Sequence, residues 1–145
     1  MLALIQRVSQ ASVTIDNSIC GQIGPGILLL LGILKGDDQV AADKLLNKLL
    51  AYRIFNDSDA KMNLSLTETG GGLLIVSQFT LAADTRKGLR PGFSTAAPPA
   101  QGEALYDYFV TQARQRPLQV STGQFGADMQ VALTNDGPVT FMLES

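Results

Sequence analysis

No histidine occurs anywhere in these 145 residues, and there is a single cysteine, Cys20. The first absence removes the usual general base near neutral pH, and with it every Ser-His-Asp or Cys-His arrangement. The two together leave no Cys-His cluster for zinc or iron and no internal disulfide. Any catalysis therefore needs another route for its proton, and Cys20 reads as a buried or loop thiol. Charge is sparse as well: 17% of residues are charged, the formal net charge is −2 and the sequence pI is near 4.9. A domain of that balance does not attract nucleic acid over its whole surface. An RNA ligand has to be met locally, and the candidate is Arg86-Lys87-Gly88-Leu89-Arg90, whose cations could contact phosphates; a solvated loop of mixed charge is the alternative. Long apolar runs are missing too. Ile27 to Leu31, extended by Ile33 and Leu34, falls well short of the ~20 residues of a membrane span, and Met1 to Arg7 carries no basic leader.

What is present is apolar residue in quantity, 46% of the chain, enough to bury roughly two-thirds of the unfolded surface in one domain over residues 1–145. The expectation is a soluble, cytoplasmic protein. Leu2 to Val8 and Ala11 to Ile15 alternate with period two and read as two strands. Ile19 to Ile23 and Ile27 to Leu34 flank Gly24-Pro25-Gly26 and read as a pair across that turn, the second strand buried on both faces. From a cap at Asp37 or Asp38, the spacing of Ala42, Leu45, Leu46, Leu49, Leu50 and Ile54 predicts an amphipathic helix of about four to five turns. Asn56-Asp57-Ser58-Asp59 then forms a polar loop, and Gly70-Gly71-Gly72 leads into the buried strand Leu73 to Val76. After a proline-punctuated loop, Leu105, Tyr108, Phe109 and Ala113 mark one face of a second helix ending before Pro117. Met129, Val131 and Leu133, then Val139, Phe141 and Leu143, predict two strands connected by Asn135-Asp136-Gly137-Pro138. The fold class is α/β: six or seven strands in a mixed, largely antiparallel sheet forming a barrel-like core, with two main helices.

Two segments carry the functional reading: Ser77-Gln78-Phe79-Thr80-Leu81 at the end of a core strand, and Asn135-Asp136-Gly137-Pro138-Val139-Thr140 near the C-terminus. The hydroxyls of Ser77 and Thr80 could act as nucleophiles, but each needs a base that the chain does not obviously offer; strand-end hydroxyls satisfying backbone groups are the simpler alternative. Gly137-Pro138 alone reads as a turn. In their order and spacing, with Leu4-Ile5-Gln6-Arg7-Val8, Lys61-Met62-Asn63, Arg90-Pro91 and Ala127-Asp128-Met129-Gln130-Val131 around them, the two segments resemble the paired signatures of the D-aminoacyl-tRNA deacylases. The resemblance spans essentially the whole chain.

That resemblance implies a homodimeric hydrolase of the ester between tRNA and a D-amino acid, working without metal or organic cofactor, with tRNA rather than DNA or a membrane as its partner. It implies that Ser77, Gln78, Phe79 and Thr80 line the catalytic pocket, with main-chain amides of Phe79 and Thr80 placed to hold the carbonyl oxygen. It further implies that a cis Gly137-Pro138 projects into the pocket of the dimer partner, where main-chain carbonyls hold the substrate's α-amino group and exclude an L side chain, so that glycine passes. Arg7 then braces that loop with Met129 packing nearby, and the ribose 2′-hydroxyl of the last adenosine assists the chemistry. Asp128 and Asp136 read as loop and turn residues. A small-molecule hydrolase using Thr80, or a module that reads a tRNA end without cutting it, are the competing readings. Gly92, Gly126 and the glycine run at 70–72 depart from the family's wording, all outside the two motifs.

Overall fold

In the computed structural model, which describes residues 1–86 and 88–145, the segments at Leu2 to Val8 and Ala11 to Ile15 form one strand, β1 (Leu2–Ile15). Two strands were expected because the alternation breaks at Ser9-Gln10. Both residues are exposed, and the break is a shift of register against the last strand rather than a turn. Asp16 and Asn17, both at positive φ, reverse the chain with the residue types such a hairpin favours. β2 (Ser18–Ile23) then runs back along the second half of β1, and β3 (Gly26–Gly32) along the first half. The two therefore follow one another on the same edge of β1 and do not pair with each other; Gly24-Pro25 is a step between them, which corrects the expected hairpin. Gly26 sits where a Cβ would fall 2.0 Å from Gly72 O, so only glycine allows the next strand its approach.

β3 is almost wholly buried, as its Leu and Ile run predicts. On its far edge it takes β6 (Gly72–Ser77) in parallel register, and β7 (Val120–Thr122) lies parallel to β6. Ser121 Oγ donates to Gln22 O at 2.8 Å, bringing the β7 edge round to β2 and nearly closing the sheet. β8 (Gln130–Glu144) occupies the other edge of β1, antiparallel. The result is a mixed α/β sheet with a barrel-like core, antiparallel in its three β1 pairings.

The C-terminal pair of strands is likewise one strand, and the segment expected to connect them is a bulge in it, Asp136 to Val139. Gln6 pairs with Thr140 and Val8 with Asn135, so Asp136-Gly137-Pro138-Val139 loops out opposite Arg7 alone. Such insertions bend a strand and aim its residues outward.

Helix α1 (Gln39–Ala51) is capped by the Asp38 carboxylate, which accepts from Ala41 N–H at 2.8 Å, and buries Ala42, Leu45, Leu46, Leu49 and Leu50. It stops about a turn earlier than the spacing predicts. Tyr52 is extended, and Ile54 is buried from the connection that follows. The polar segment after it is held in a small hairpin, β4 (Phe55–Asn56) with β5 (Met62–Leu64). There the Asp57 carboxylate accepts from the N–H groups of Asp59 and Lys61 and from Asn63 Nδ2. α2 (Leu66–Thr69) is a single turn with a Ser65–Glu68 capping box, ended by Gly70 at φ 67°. α3 (Pro99–Arg114) packs Leu105, Tyr106, Phe109, Val110 and Ala113 onto the sheet. Tyr108, expected on that face, lies at its edge and donates to Asp43. Cys20 is exposed on β2, not buried or in a loop. No helix of the described residues is long and apolar enough to cross a membrane.

Candidate active site

β6 delivers Ser77 to the rim of the sheet, where two neighbours fix it: the parallel ladder to β3, and the hydrogen bond from Gln78 N–H to Leu31 O at 2.8 Å. The chain then tightens into a 3-10 turn, Phe79–Ala82. Leu81 N–H donates to Gln78 O and Ala83 N–H to Thr80 O. The first donors of any helical turn lack intrahelical acceptors, and among the described residues nothing accepts from Phe79 N–H or Thr80 N–H. The Gln78 side chain donates to Thr80 Oγ1, so the Thr80 hydroxyl is engaged beside the turn.

A cavity of about 480 Å³ opens against this rim, lined by Ser77, Gln78 and Phe79 but not by Thr80. Pro99 and Gly102 of α3 form another wall, and the loop from Phe125 to Met129 a third. Gly102 faces the Phe125 ring, which a Cβ there would touch at van der Waals distance, 3.4 Å. The Phe125 ring packs on Tyr106 with centroids 5.9 Å apart, and the Tyr106 hydroxyl donates to Ile75 O of β6 at 3.0 Å. Tyr106 thus ties two walls of the cavity together. Burial, helped by the nearby Asp107 carboxylate, pushes its phenol up to about 12. Neither Phe125 nor Gly102 carries a motif, and only the folded chain brings them to the site.

The second motif lies elsewhere on the same chain. Arg7, only 8% exposed, donates from Nε to Asp136 O at 2.9 Å and from Nη1 to Ile54 O at 2.7 Å, with the Asp136 carboxylate 3.4 Å away. Asn135 closes the bulge from inside, accepting from Val139 N–H at 2.7 Å and donating to Thr140 Oγ1 at 2.9 Å. The Gly137-Pro138 peptide is cis, Gly137 has φ 150°, and both residues are exposed. Arg7 therefore does brace this loop. Met129 does not pack beside it within one chain. Gln130 pairs with Thr14 while the bulge faces Arg7, a separation of roughly 20 Å along the strand. Met129 instead lines the Ser77 cavity, its sulfur near Gln124 N–H. Asp128 is a loop residue as read, at the cavity's edge.

Of the basic cluster, Arg86 is already paired with Asp84, through contacts of 2.8 and 2.9 Å, and the guanidinium holds that carboxyl well below the usual range. Arg90 is exposed, and Lys87 lies outside the described residues. Among the described residues no group of three Cys, Asp or Glu side chains gathers closely enough to hold a metal ion.

Comparison with known proteins agrees with the motifs. A family model described as D-Tyr-tRNA(Tyr) deacylase matches residues 4–144. The chain is 65% identical over 144 residues to the D-aminoacyl-tRNA deacylase of Cellvibrio japonicus (strain Ueda107), covering 99% of each. It is 62% identical over 145 residues to that of Stutzerimonas stutzeri (strain A1501), covering both completely. Among solved structures it superposes on the c-Myc DNA Unwinding Element Binding Protein with a TM-score of 0.95 at 42% identity, covering 100% of this chain and 99% of that one.

Proposed function

Because this chain belongs to the D-Tyr-tRNA(Tyr) deacylase family, we propose that the cavity lined by Ser77, Gln78 and Phe79, with Thr80 at its rim, receives the aminoacylated 3′-terminal adenosine of a tRNA. In this reading the main-chain N–H groups of Phe79 and Thr80 hold the oxyanion formed at the ester carbonyl. The chain is a D-aminoacyl-tRNA deacylase, a hydrolase of the ester linking an amino acid to tRNA. The observation that carries the placement is the pair of unpartnered N–H groups heading a hydrogen-bonded 3-10 turn at the rim of a cavity of nucleoside dimensions. Donors fixed in advance toward a developing negative charge need no reorganisation during the reaction, and each is worth ~3–4 kcal/mol.

Water attacks the ester carbonyl, the tetrahedral oxyanion is held by those two amides, and the C–O bond to the ribose breaks. The proton released by water has to reach the leaving 3′-oxygen. With no histidine in the chain, the vicinal 2′-hydroxyl of the same ribose is the relay, so the substrate contributes its own assisting group. Chirality is read by Gly137-Pro138 of a second copy of the chain. Gly137 and Pro138 do not line the chain's own cavity, and in this reading a two-fold homodimer brings the two motifs together. Main-chain carbonyls there accept from the α-amino group and leave no volume for an L side chain; glycyl-tRNA, mischarged on tRNA(Ala), passes. The enzyme acts in the cytoplasm without metal or organic cofactor. The superposed neighbour is named for binding a DNA unwinding element, but a net charge of −2 gives this chain no duplex-binding field, and the tRNA end is the proposed nucleic-acid partner.

Deacylation of matched D-tyrosyl-, L-tyrosyl- and glycyl-tRNA by the purified protein tests this: the first and third are cleaved and the second spared. Replacing the terminal adenosine by its 2′-deoxy form is expected to lower the single-turnover rate far more than Thr80→Ala, which leaves both amides in place. Equal rates on ribo and deoxy substrates, alongside a dead Thr80→Ala enzyme, would assign the chemistry to a side-chain nucleophile instead.

A further inference from the structure

Two exposed phenylalanine rings stand at the mouth of the cavity with no part in the chemistry above. Phe79 is 59% exposed and Phe93 39%; their centroids are 5.0 Å apart and their planes inclined at 49°. Only the first lines the cavity, so the pair leads outward from it. Backbone ties hold both in place. Phe79 opens the 3-10 turn after β6. Phe93 follows Gly92, which exchanges two main-chain hydrogen bonds with Asp84, at 2.7 and 3.1 Å. The Phe93 carbonyl accepts from Ala96 N–H, the Thr95 hydroxyl donates to Ala82 O, and Lys35 and Ala97 tie the segment to the end of β3 at 3.0 Å each.

We propose that Phe93, backed by Phe79, is a positioning residue on which the nucleobase preceding the terminal adenosine stacks; this rests on the placement of the aminoacyl-adenosine in the Ser77 cavity. A substrate whose last residue enters that cavity must lead its preceding nucleotide out across the rim. Net charge gives the chain no general hold on phosphates, at −2, and in the adjacent loop Arg86 is neutralised by Asp84 while Arg90 is exposed, so cations alone are a sparse grip there. Stacking on an aromatic face is the sequence-tolerant alternative, because every base presents a π surface. The two tilted rings offer such a face, carried on backbone already tied down by the hydrogen bonds above, which limits the ordering needed when the base arrives. A second copy of the chain covering Phe93 is the competing occupant.

The test compares the D-tyrosyl ester of adenosine with the D-tyrosyl ester of the dinucleotide cytidylyl-adenosine, which differ by one preceding nucleotide. Wild-type protein is expected to favour the dinucleotide ester by about ten-fold in kcat/KM, equivalent to ~1.4 kcal/mol, and mainly through KM. In Phe93→Ala that ratio falls to about one, while Phe93→Trp restores it, a rescue that a purely structural role would not give. A ratio unchanged in Phe93→Ala, or an equal loss on both esters, overturns the proposal. So does a change of sedimenting mass in Phe93→Ala, which would assign the ring to a contact between copies. Wild-type protein that cleaves D-tyrosyl-tRNA but neither ester places recognition elsewhere on the tRNA and overturns it too. Inactivity on D-tyrosyl-tRNA itself would instead sink the site reading on which the platform stands.

Discussion

Two buried polar side chains hold the cavity wall and the Gly137-Pro138 loop in shape, and they differ in what they can lose. Arg7 gives hydrogen bonds to two main-chain carbonyls, Asp136 O and Ile54 O, so truncating it strands both acceptors. A buried polar group left unpaired costs about 1–3 kcal/mol. Tyr106 donates to Ile75 O, which also accepts from Gly123 N–H; its removal leaves that carbonyl one partner. What sets Tyr106 apart is its ionisation. Its folded-state phenol is raised from 10.0 to about 12 by burial first and Asp107 second. Folding therefore favours the protonated form, and the associated stability is fully present below pH 10 and lost as pH rises from about 10 toward 12. Tyr106→Phe is expected to lower the urea midpoint slightly at pH 7, by the ~1 kcal/mol of a single net hydrogen bond. It should also flatten the loss of stability between pH 10 and 12 relative to wild type. Urea titrations at stepped pH read both effects, and an alkaline slope unchanged by the substitution would mean that Tyr106 ionises freely in the folded protein.

At the scale of elements, the bulge in β8 turns a sheet edge into a projecting device. Four residues loop out against one, with Arg7 and Asn135 filling the interior. Gly137 is held at φ 150°, a conformation that L side chains rarely adopt, and an added Cβ would meet Val139 Cγ2 at 2.5 Å. Gly137→Ala is expected to shift the loop without unfolding the strand, which stays paired with β1 on both sides. Deacylation should fall by at least about ten-fold while the melting temperature changes by only a few degrees; activity near wild type would show that the loop's shape does not matter to the reaction. Such bulges explain what could be read from the sequence and what could not. α1 was legible because a capping Asp38 precedes a clean helical period, and β3 and β6 because uninterrupted Leu, Ile and Val leave little else to form. β1 and β8 were each split in two, since a bulge and a turn interrupt alternation in the same way and only long-range pairing distinguishes them. The early end of α1 was not legible, because Ile54 continues the apolar spacing and is buried even though the chain turns extended at Tyr52. Ser65 to Glu68 is a readable capping signature, yet its single turn has no periodicity to draw attention. The motif half of the site was legible for the same reason as the core: Ser77 ends a buried strand. The opposite walls, Phe125 and Gly102, come from a loop and a helix start whose approach depends on tertiary packing alone.

For the whole molecule, the separation of the two motifs is the decisive fact. Each chain carries a cavity at the end of β6 and a projecting loop opposite Arg7, and neither Gly137 nor Pro138 is among the residues lining that cavity. If a second copy supplies the loop, two-fold symmetry makes the exchange reciprocal, with two composite sites per dimer. Defects in the two motifs should then complement across subunits. Ala97→Phe fills the cavity from its wall and Gly137→Ala spoils the loop, so each homodimer is expected to be inactive at both sites. A mixed dimer contains one site built from the intact cavity of one chain and the intact loop of the other, and one site defective in both. Random exchange makes half of the dimers mixed, and half of their sites work, so equimolar mixing after reversible dissociation should restore about a quarter of wild-type deacylation. Single-turnover assays on D-tyrosyl-tRNA before and after exchange read this directly. Activity that stays at the baseline of the separate variants, with mass analysis showing that mixed dimers have formed, would mean that each chain uses its own loop or none.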